Sequence, residues 1–333
     1  MNDNSKALSA DSLDFDMDAE VERICARLRE VLSRTLRKRG LVVAISGGID
    51  SSVSAALCVE AIGKDRVYGL LLPEQDSAES STSRGDTLAQ HLGLRYEKFA
   101  LAPTLAAIGC YEQRDQAIRS VFPEYSEGWA NKIVIQGGLE GRVNHFVLVV
   151  RTPDGEMKEA RLPLQEYLKI VAATNHKQRV RKTVEYFHAD RLNYAVVGTP
   201  NRLEYDQGFF VKNGDGSADV KPIAHLYKTQ VYALARHLGL PEEICSATPT
   251  TDTYSLEQGQ DEFYFALPYE KMDLALYALN NGHSAKELAD VLSIDEAHAE
   301  FVFKDIETKR ATTTYLHAAG VLLGDVPEIT GRK

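Results

Sequence analysis

The chain has little with which to cross-link itself. Its 333 residues include four cysteines and one tryptophan. Cys25, Cys58, Cys110 and Cys245 are scattered without a C-x-x-C pair, which argues against a zinc site and against a disulfide framework. A reducing cytoplasm is the simple expectation. No stretch reaches the ~18 consecutive apolar residues that a membrane helix requires. Met1 to Asp18 is polar and acidic, without the apolar core of a signal peptide. Basic charge is also scarce: 38 Lys and Arg stand against 48 Asp and Glu, a formal net charge of −10. Binding to phosphate backbones normally leaves a basic footprint, so neither DNA nor tRNA is expected as a partner.

The remaining composition is that of a globular protein able to bury a sizeable core, with 44% hydrophobic and 26% charged residues. Residues 1–17 are expected to be a flexible tail. Val21, Ile24, Leu28, Val31 and Leu32 repeat at helical spacing, and Arg37-Lys38-Arg39-Gly40 supplies a cationic, glycine-terminated end. Strands are predicted at Leu41–Ile45, Arg66–Leu72, Tyr96–Phe99 and Tyr194–Gly198. Helices are predicted after the first of these, over Ser83–Leu92, over 177–192 and over 228–238. Alternation of this kind predicts an α/β fold with a parallel sheet covered on both faces. His145–Arg151 and Glu156–Leu162, joined through Thr152-Pro153-Asp154-Gly155, read as an inserted β-hairpin with an Asp-Gly turn. The predicted organisation is an α/β domain over 18–269 with an insert at about 104–165, followed by a helical extension of the same domain over 270–333.

The most informative segment is Ser46-Gly47-Gly48-Ile49-Asp50-Ser51-Ser52, between the first strand and a helix. Glycines let backbone N–H groups converge, and a helix N-terminus adds partial positive charge there. That combination suits polyphosphate. The Gly-Lys-Ser/Thr ending of a Walker A loop is missing. The segment instead resembles the SGGxDS pyrophosphate loop of ATP pyrophosphatases that adenylate a substrate. A second group of polar loops follows: Gly198-Thr199-Pro200-Asn201-Arg202-Leu203-Glu204, Lys212-Asn213-Gly214-Asp215-Gly216-Ser217-Ala218-Asp219, Leu226-Tyr227-Lys228-Thr229 and Pro249-Thr250-Thr251-Asp252. Both the 46–52 and 198–204 loops fall at the carboxyl ends of strands, where open α/β sheets bind ligands.

Taken in order, these segments resemble the NAD synthetase family across roughly residues 40–310. Its G-T-x-N-x-x-E, K-x-G-D-G-x-x-D, L-x-K-T and P-T-x-D motifs follow SGGxDS in the same sequence. Asn175 to Arg181 is similar to its N-x-x-A-R-x-R segment, with Gln178 in place of alanine. Pro268 to Asp273 and Glu307 to Arg310 are similar to its late Y-x-x-I-D and closing E-H-K-R segments. The resemblance implies a Rossmann-like adenine-nucleotide fold. It also implies adenylation of a carboxylate by ATP, release of pyrophosphate and displacement of AMP by ammonia, with deamido-NAD as the acid. It assigns Ser46, Gly47, Gly48, Asp50, Ser51, Ser52, Thr199, Lys228 and Thr250 to ATP. Asp50 and Glu204 would hold Mg²⁺, which takes one or two carboxylates plus phosphate oxygens. Asp50 and Lys228 would be catalytic, and Asn175, Arg179, Arg181, Lys212, Asp215 and Asp219 would bind the acid substrate. A homodimer is implied.

Departures concern the second substrate. Residues 130–165 intervene before the N-x-x-x-R-x-R helix, Pro200 replaces a glycine, and Phe263-Tyr264-Phe265 stands where the family is acidic and aliphatic. A different carboxylic acid is therefore an alternative. About forty residues precede the loop, too few for the glutaminase domain of glutamine-dependent relatives, so free ammonia or a separate glutaminase subunit is expected as the nitrogen source. A nucleotide-binding sensor is the non-enzyme alternative. The outline of a helix-turn-helix near 284–310 offers Asp295, Glu296, Glu300, Asp305 and Glu307 where a DNA-reading helix needs donors, so a packing or dimer-forming pair is expected.

Overall fold

Leu41, Val42 and Val43 are all fully buried. Three consecutive apolar residues can be hidden in a strand only when both faces of its sheet are covered. The computed structural model, which describes residues 7–136, 145–249, 254–256, 259, 264–265, 267–324 and 326, shows that arrangement. After helix α1 (Met17–Glu30) the chain enters β1 (Leu41–Ala44), α2 (Ile49–Ile62), β2 (Val67–Leu71), α3 (Glu79–His91) and β3 (Arg95–Lys98). With the later strand β7 (Ala195–Val197) these form a parallel sheet in the order β3-β2-β1-β7. Leu41 and Val43 pack on one face with Ile24, Leu57 and Val231, while Val42, Leu70 and Val196 pack on the other with Leu101, Leu105 and Ala189.

Helices α4 (Ala102–Ala107) and α5 (Cys110–Arg119) lead into the insert. The expected hairpin is present as β5 (His145–Arg151) and β6 (Met157–Arg161), but a third strand, β4 (Ala130–Gln136), pairs antiparallel with β5. This strand was not legible beforehand. Its apolar run, Ile133-Val134-Ile135, is only three residues long, and Asn131 is buried through contacts with Tyr125 and Ser255 that no local pattern reveals.

Helix α6 (Leu164–Leu192) begins thirteen residues before the expected start at 177. Its two halves serve different cores. Ile170 packs in the insert with Ile118, Ile133 and Leu148, whereas Val180, Val184 and Ala189 pack on the parallel sheet. The apolar stripe changes face between them, which blurs a single helical period. One rigid element thus joins the insert to the sheet.

The remaining elements are α7 (Arg202–Gln207), α8 (Lys228–His237), α9 (Glu242–Cys245), α10 (Tyr269–Asn280), α11 (Ala285–Leu292) and α12 (Glu296–His317). Helices α10 to α12 share a core with Leu203 and Tyr227. Ser284 and Glu287 close a capping box at the start of α11, each receiving the other's backbone N–H. Val302 and Ile306 of α12 are buried, so the pair at 284–310 is a packing unit. Leu8 lies in the same core and Ala10–Leu13 forms a 3₁₀ turn whose Leu13 carbonyl accepts from Gln230 Nε2 at 2.9 Å. The described part of the expected tail is therefore docked, because its apolar residues find a groove built by distant helices. Among the described residues no helix is long and apolar enough to cross a membrane.

Candidate active site

The turn after β1 is bound to itself before anything else binds it. Gly48 donates its N–H to Ser46 Oγ at 3.2 Å, Ser51 Oγ donates to the Gly48 carbonyl at 3.0 Å, and Ser52 Oγ donates to the same carbonyl at 2.8 Å. Gly47 has φ +80°, and a Cβ there would lie 2.1 Å from the Ser81 carbonyl oxygen. Only glycine meets both demands. The result points the N-terminus of α2, with its unpaired first-turn N–H groups, along the carboxyl edge of the sheet.

This edge opens into a cavity of about 670 Å³. Ser46, Gly48, Asp50 and Ser51 line one end, together with Thr199, Glu204 and Lys228. Lys228 is 1% exposed and donates to Asp50 Oδ2, while Asn201 Nδ2 donates to Asp50 Oδ1 at 3.1 Å. Burial opposes the charge on Lys228, but the Asp50 and Glu204 carboxylates outweigh it and hold the ammonium above the ordinary lysine range. Glu204 accepts the Asn201 backbone N–H at 3.2 Å and donates its own N–H to Asn201 Oδ1 at 3.1 Å, a capping box at the head of α7. That cap aims Glu204 from the helix start into the cavity it lines.

The same cavity is lined by Asn175, Gln178, Arg179 and Arg181 of α6 and by Asp215. Arg181 Nε donates to the Leu72 carbonyl at 3.2 Å and Arg179 Nε to the Lys212 carbonyl at 3.3 Å. These bonds fix both guanidinium planes at the cavity wall. The apolar side comes from Ile135, Phe146, Tyr167, Val171 and Tyr254. Phe146 and Tyr167 stack with centroids 3.8 Å apart. Helix α12 adds Lys309, Thr313, Tyr315 and Leu316.

Five expected residues stand apart, the first being Gly47, which shapes the turn without lining the cavity. Ser52 is fully buried and braces the turn. Asp219 does not line the cavity: its Oδ2 accepts the Val196 N–H at 2.7 Å and fastens the 210–219 loop to β7. Lys212 reaches the wall but spends its ammonium on the Tyr315 and Ala318 carbonyls, at 2.6 and 2.8 Å, which caps α12. Thr250 lies outside the described residues.

Other groups come to the site that sequence reasoning did not single out. Arg84 on α3 lines the phosphate end, donating to the Gly47 carbonyl at 3.2 Å and to Ser81 Oγ at 3.1 Å. Asp273 on α10 accepts the N–H groups of Lys228 and Thr229 at 3.1 and 2.7 Å, capping α8 from another helix. Burial pushes its carboxyl up to about 7 against these donors. Its match to the family's late motif was the available signal, without a role attached. Lys182 and Glu185 also line the cavity. In a chain of net charge −10, Arg84, Arg179, Arg181, Lys228 and Lys309 thus converge on one cavity, whereas the charge of Lys182 is balanced by Glu185. Such a site favours a polyanion.

A family model described as NAD synthase matches residues 20–124 and 141–313. The gap between these segments contains β4. The NH(3)-dependent NAD(+) synthetase of Rhizobium meliloti (strain 1021) is 57% identical over 327 residues, covering 98% of each chain. Among solved structures, NAD+ synthetase from Burkholderia pseudomallei is 25% identical with a TM-score of 0.56, covering 91% of this chain and 92% of that one. NMN synthetase from Francisella tularensis shares the fold at 18% identity and a TM-score of 0.63, covering 93% of this chain and 99% of that one. By sequence along nearly its whole length, and by a cavity built at the strand ends around the 46–52 turn, the chain belongs to the NAD synthase family.

Proposed function

We propose that this protein amidates deamido-NAD with ammonia, consuming ATP and releasing AMP and pyrophosphate. The observation that carries the reading is one cavity lined by both the 46–52 turn and two arginines of α6, with an aromatic wall. The turn suits a triphosphate and the arginines with that wall a planar anionic substrate, with the reacting carboxylate and α-phosphorus meeting between them.

The turn's hydroxyls and the α2 N-terminus receive the pyrophosphate, and Lys228 and Arg84 balance the charge that leaves with it. Lys228 is preset for this by Asp273, which anchors its backbone, and by Asp50, which holds its ammonium. Asp50 and Glu204 are hard oxygen donors lining the same end, which fits Mg²⁺ bound together with phosphate oxygens and water. When bound, Mg²⁺ supplies electrostatic neutralisation of the leaving pyrophosphate. Arg179 and Arg181 orient the anionic part of the acid substrate, Asn175 and Asp215 its polar groups, and the insert excludes water from the acyl adenylate. Lys212 and Asp219 shape that wall through the bonds they make within the protein.

Nitrogen enters as free ammonia or from a separate glutaminase. The protein works in the cytoplasm as a homodimer, in keeping with Leu164 and Leu168, one turn apart on α6 and both more than half exposed. Sedimentation velocity tests the assembly, and a monomer at micromolar concentration refutes it. The reaction is tested by supplying purified protein with ATP, Mg²⁺, ammonium and deamido-NAD. Turnover on the order of 1 s⁻¹ or faster is expected. Turnover orders of magnitude slower, with ATP still bound, points to another carboxylic acid.

A further inference from the structure

Helix α6 turns toward the cavity one pair of charges that the steps above leave unused. Lys182 and Glu185, one turn apart, are 6% and 3% exposed, with Lys182 Nζ 2.8 Å from Glu185 Oε2. Both line the cavity. A buried pair of this kind adds little stability over two apolar residues of the same size, because desolvation cancels most of the attraction. Its presence in the wall of a reaction chamber calls for a chemical explanation.

The chemistry supplies one. At neutral pH most ammonia is ammonium, which has no lone pair with which to attack an acyl adenylate. Forming the amide from ammonium releases two protons, the first of which must leave before the C–N bond forms. The acceptor has to be a base inside the cavity. Asp50 is engaged by Lys228 and Asn201, Glu204 by the Asn201 N–H, and Asp215 by the Val211 N–H at 2.7 Å. Glu185 is held through one oxygen by the flexible side chain of Lys182.

Resting on the amidation reading above, we propose that Glu185 takes the first proton from ammonium bound in the cavity, with Lys182 holding the carboxylate in place until ammonium arrives. A carboxylate already seated against an alkylammonium head group fits ammonium by the same hydrogen bonds. In the step itself, an N–H bond of ammonium breaks and its proton passes to the Glu185 carboxylate. The freed lone pair forms the C–N bond at the acyl carbon. The C–O bond to AMP breaks, its electron pair leaving with the phosphate. The second proton goes to that phosphate or to water, and Glu185 returns its own proton to solvent.

The surroundings suit a base that must also be reprotonated and reset. Burial raises the Glu185 carboxyl above the usual range, with Lys182 and Arg181 pulling it down and Asp215 pushing it up. Tyr186 is the neighbouring phenol on the same helix, and Lys221 faces Lys182 and Asp215 from beyond the 210–219 loop. A carboxyl so placed titrates closer to neutrality than an exposed one, which is where a general base works best.

The test uses Glu185→Gln and the double variant Lys182→Met/Glu185→Gln, which leaves no unpaired buried charge. Both should retain deamido-NAD-dependent ATP–pyrophosphate exchange within about two-fold, while NAD formation from ammonium at pH 7 falls about 100-fold or more. The deficit should narrow as pH rises and free ammonia accumulates. Hydroxylamine, neutral at pH 7, should give the hydroxamate at nearly the unmodified rate. The proposal is overturned if the double variant makes NAD from ammonium at the normal rate at pH 7. It is equally overturned if the loss is the same at every pH and with hydroxylamine, because that is the pattern of a structural pair. Absence of deamido-NAD-dependent exchange in the unmodified protein strikes the amidation reading instead, so the two failures are distinguishable.

Discussion

At the phosphate end of the cavity, Ser46, Gly48, Asp50 and Ser51 come from one turn of six residues and are braced by hydrogen bonds within it. At the acid end, Arg179, Phe146, Asp215 and Tyr315 arrive from a helix, an inserted strand, a loop and the C-terminal helix. The first end is a local backbone device whose geometry follows from glycine and a helix start. The second is an agreement among distant elements, each held by contacts of its own. Local devices should fail abruptly when one atom is wrong, whereas assembled walls should lose affinity by degrees.

The largest effect is expected from Asp50→Asn. Removing that charge at a departing pyrophosphate should lower adenylation by about 10³-fold while the fold persists. Pyrophosphate exchange and circular dichroism measure the two together. Near-normal exchange in a folded variant ends the metal and lysine-positioning role. Gly47→Ala comes next, at about 10²-fold in ATP-dependent rate, with ~1–3 kcal/mol of backbone strain for a side chain at positive φ. A tight-binding variant with unchanged thermal stability means the turn can shift away from Ser81 and is as adaptable as the assembled wall.

Phe146→Ala probes the other end. Losing the ring that stacks on Tyr167 should raise KM for deamido-NAD about tenfold, in line with the ~0.5–1.5 kcal/mol of an aromatic pair plus lost contact area, and leave KM for ATP unchanged. Equal shifts in both constants show that the two ends are one mechanical unit. The smallest kinetic change, a several-fold drop in kcat, is expected from Asp273→Ala. That variant leaves the Lys228 and Thr229 N–H groups without their acceptor, costing about 1–2 kcal/mol of stability. A lower Tm with unchanged kcat means α8 holds Lys228 without this cap.

Legibility followed the same division. The parallel strands, the 46–52 turn and the start of α8 could be read because each is encoded by neighbours in the chain. Strand β4 and the first half of α6 could not, since the residues that bury them belong to the insert's own core. Arg179, Arg181 and Lys228 were marked by their motifs, but Arg84 and Lys182 gave no local signal in an acidic chain, because they meet the others only after folding. Lys212 and Asp219 show the converse. Their motif position marked them for substrate, yet a helix end and a strand N–H claim their side chains.

By itself, then, the amino-acid order determined the strand-turn-helix that cradles phosphate, because φ at Gly47, hydroxyls at Ser46 and Ser51 and the helix N-terminus are consequences of adjacent residues. It also determined the sheet type, through strands that alternate with helices. Tertiary structure alone decided which carboxylate faces which cation. It seated Asp50 on Lys228, 178 positions away, and turned Lys182 and Glu185 into the cavity wall. The physical reason is range: backbone torsions and hydrogen bonds within a turn are set over a few residues, whereas burial and charge pairing depend on every element that packs around the group.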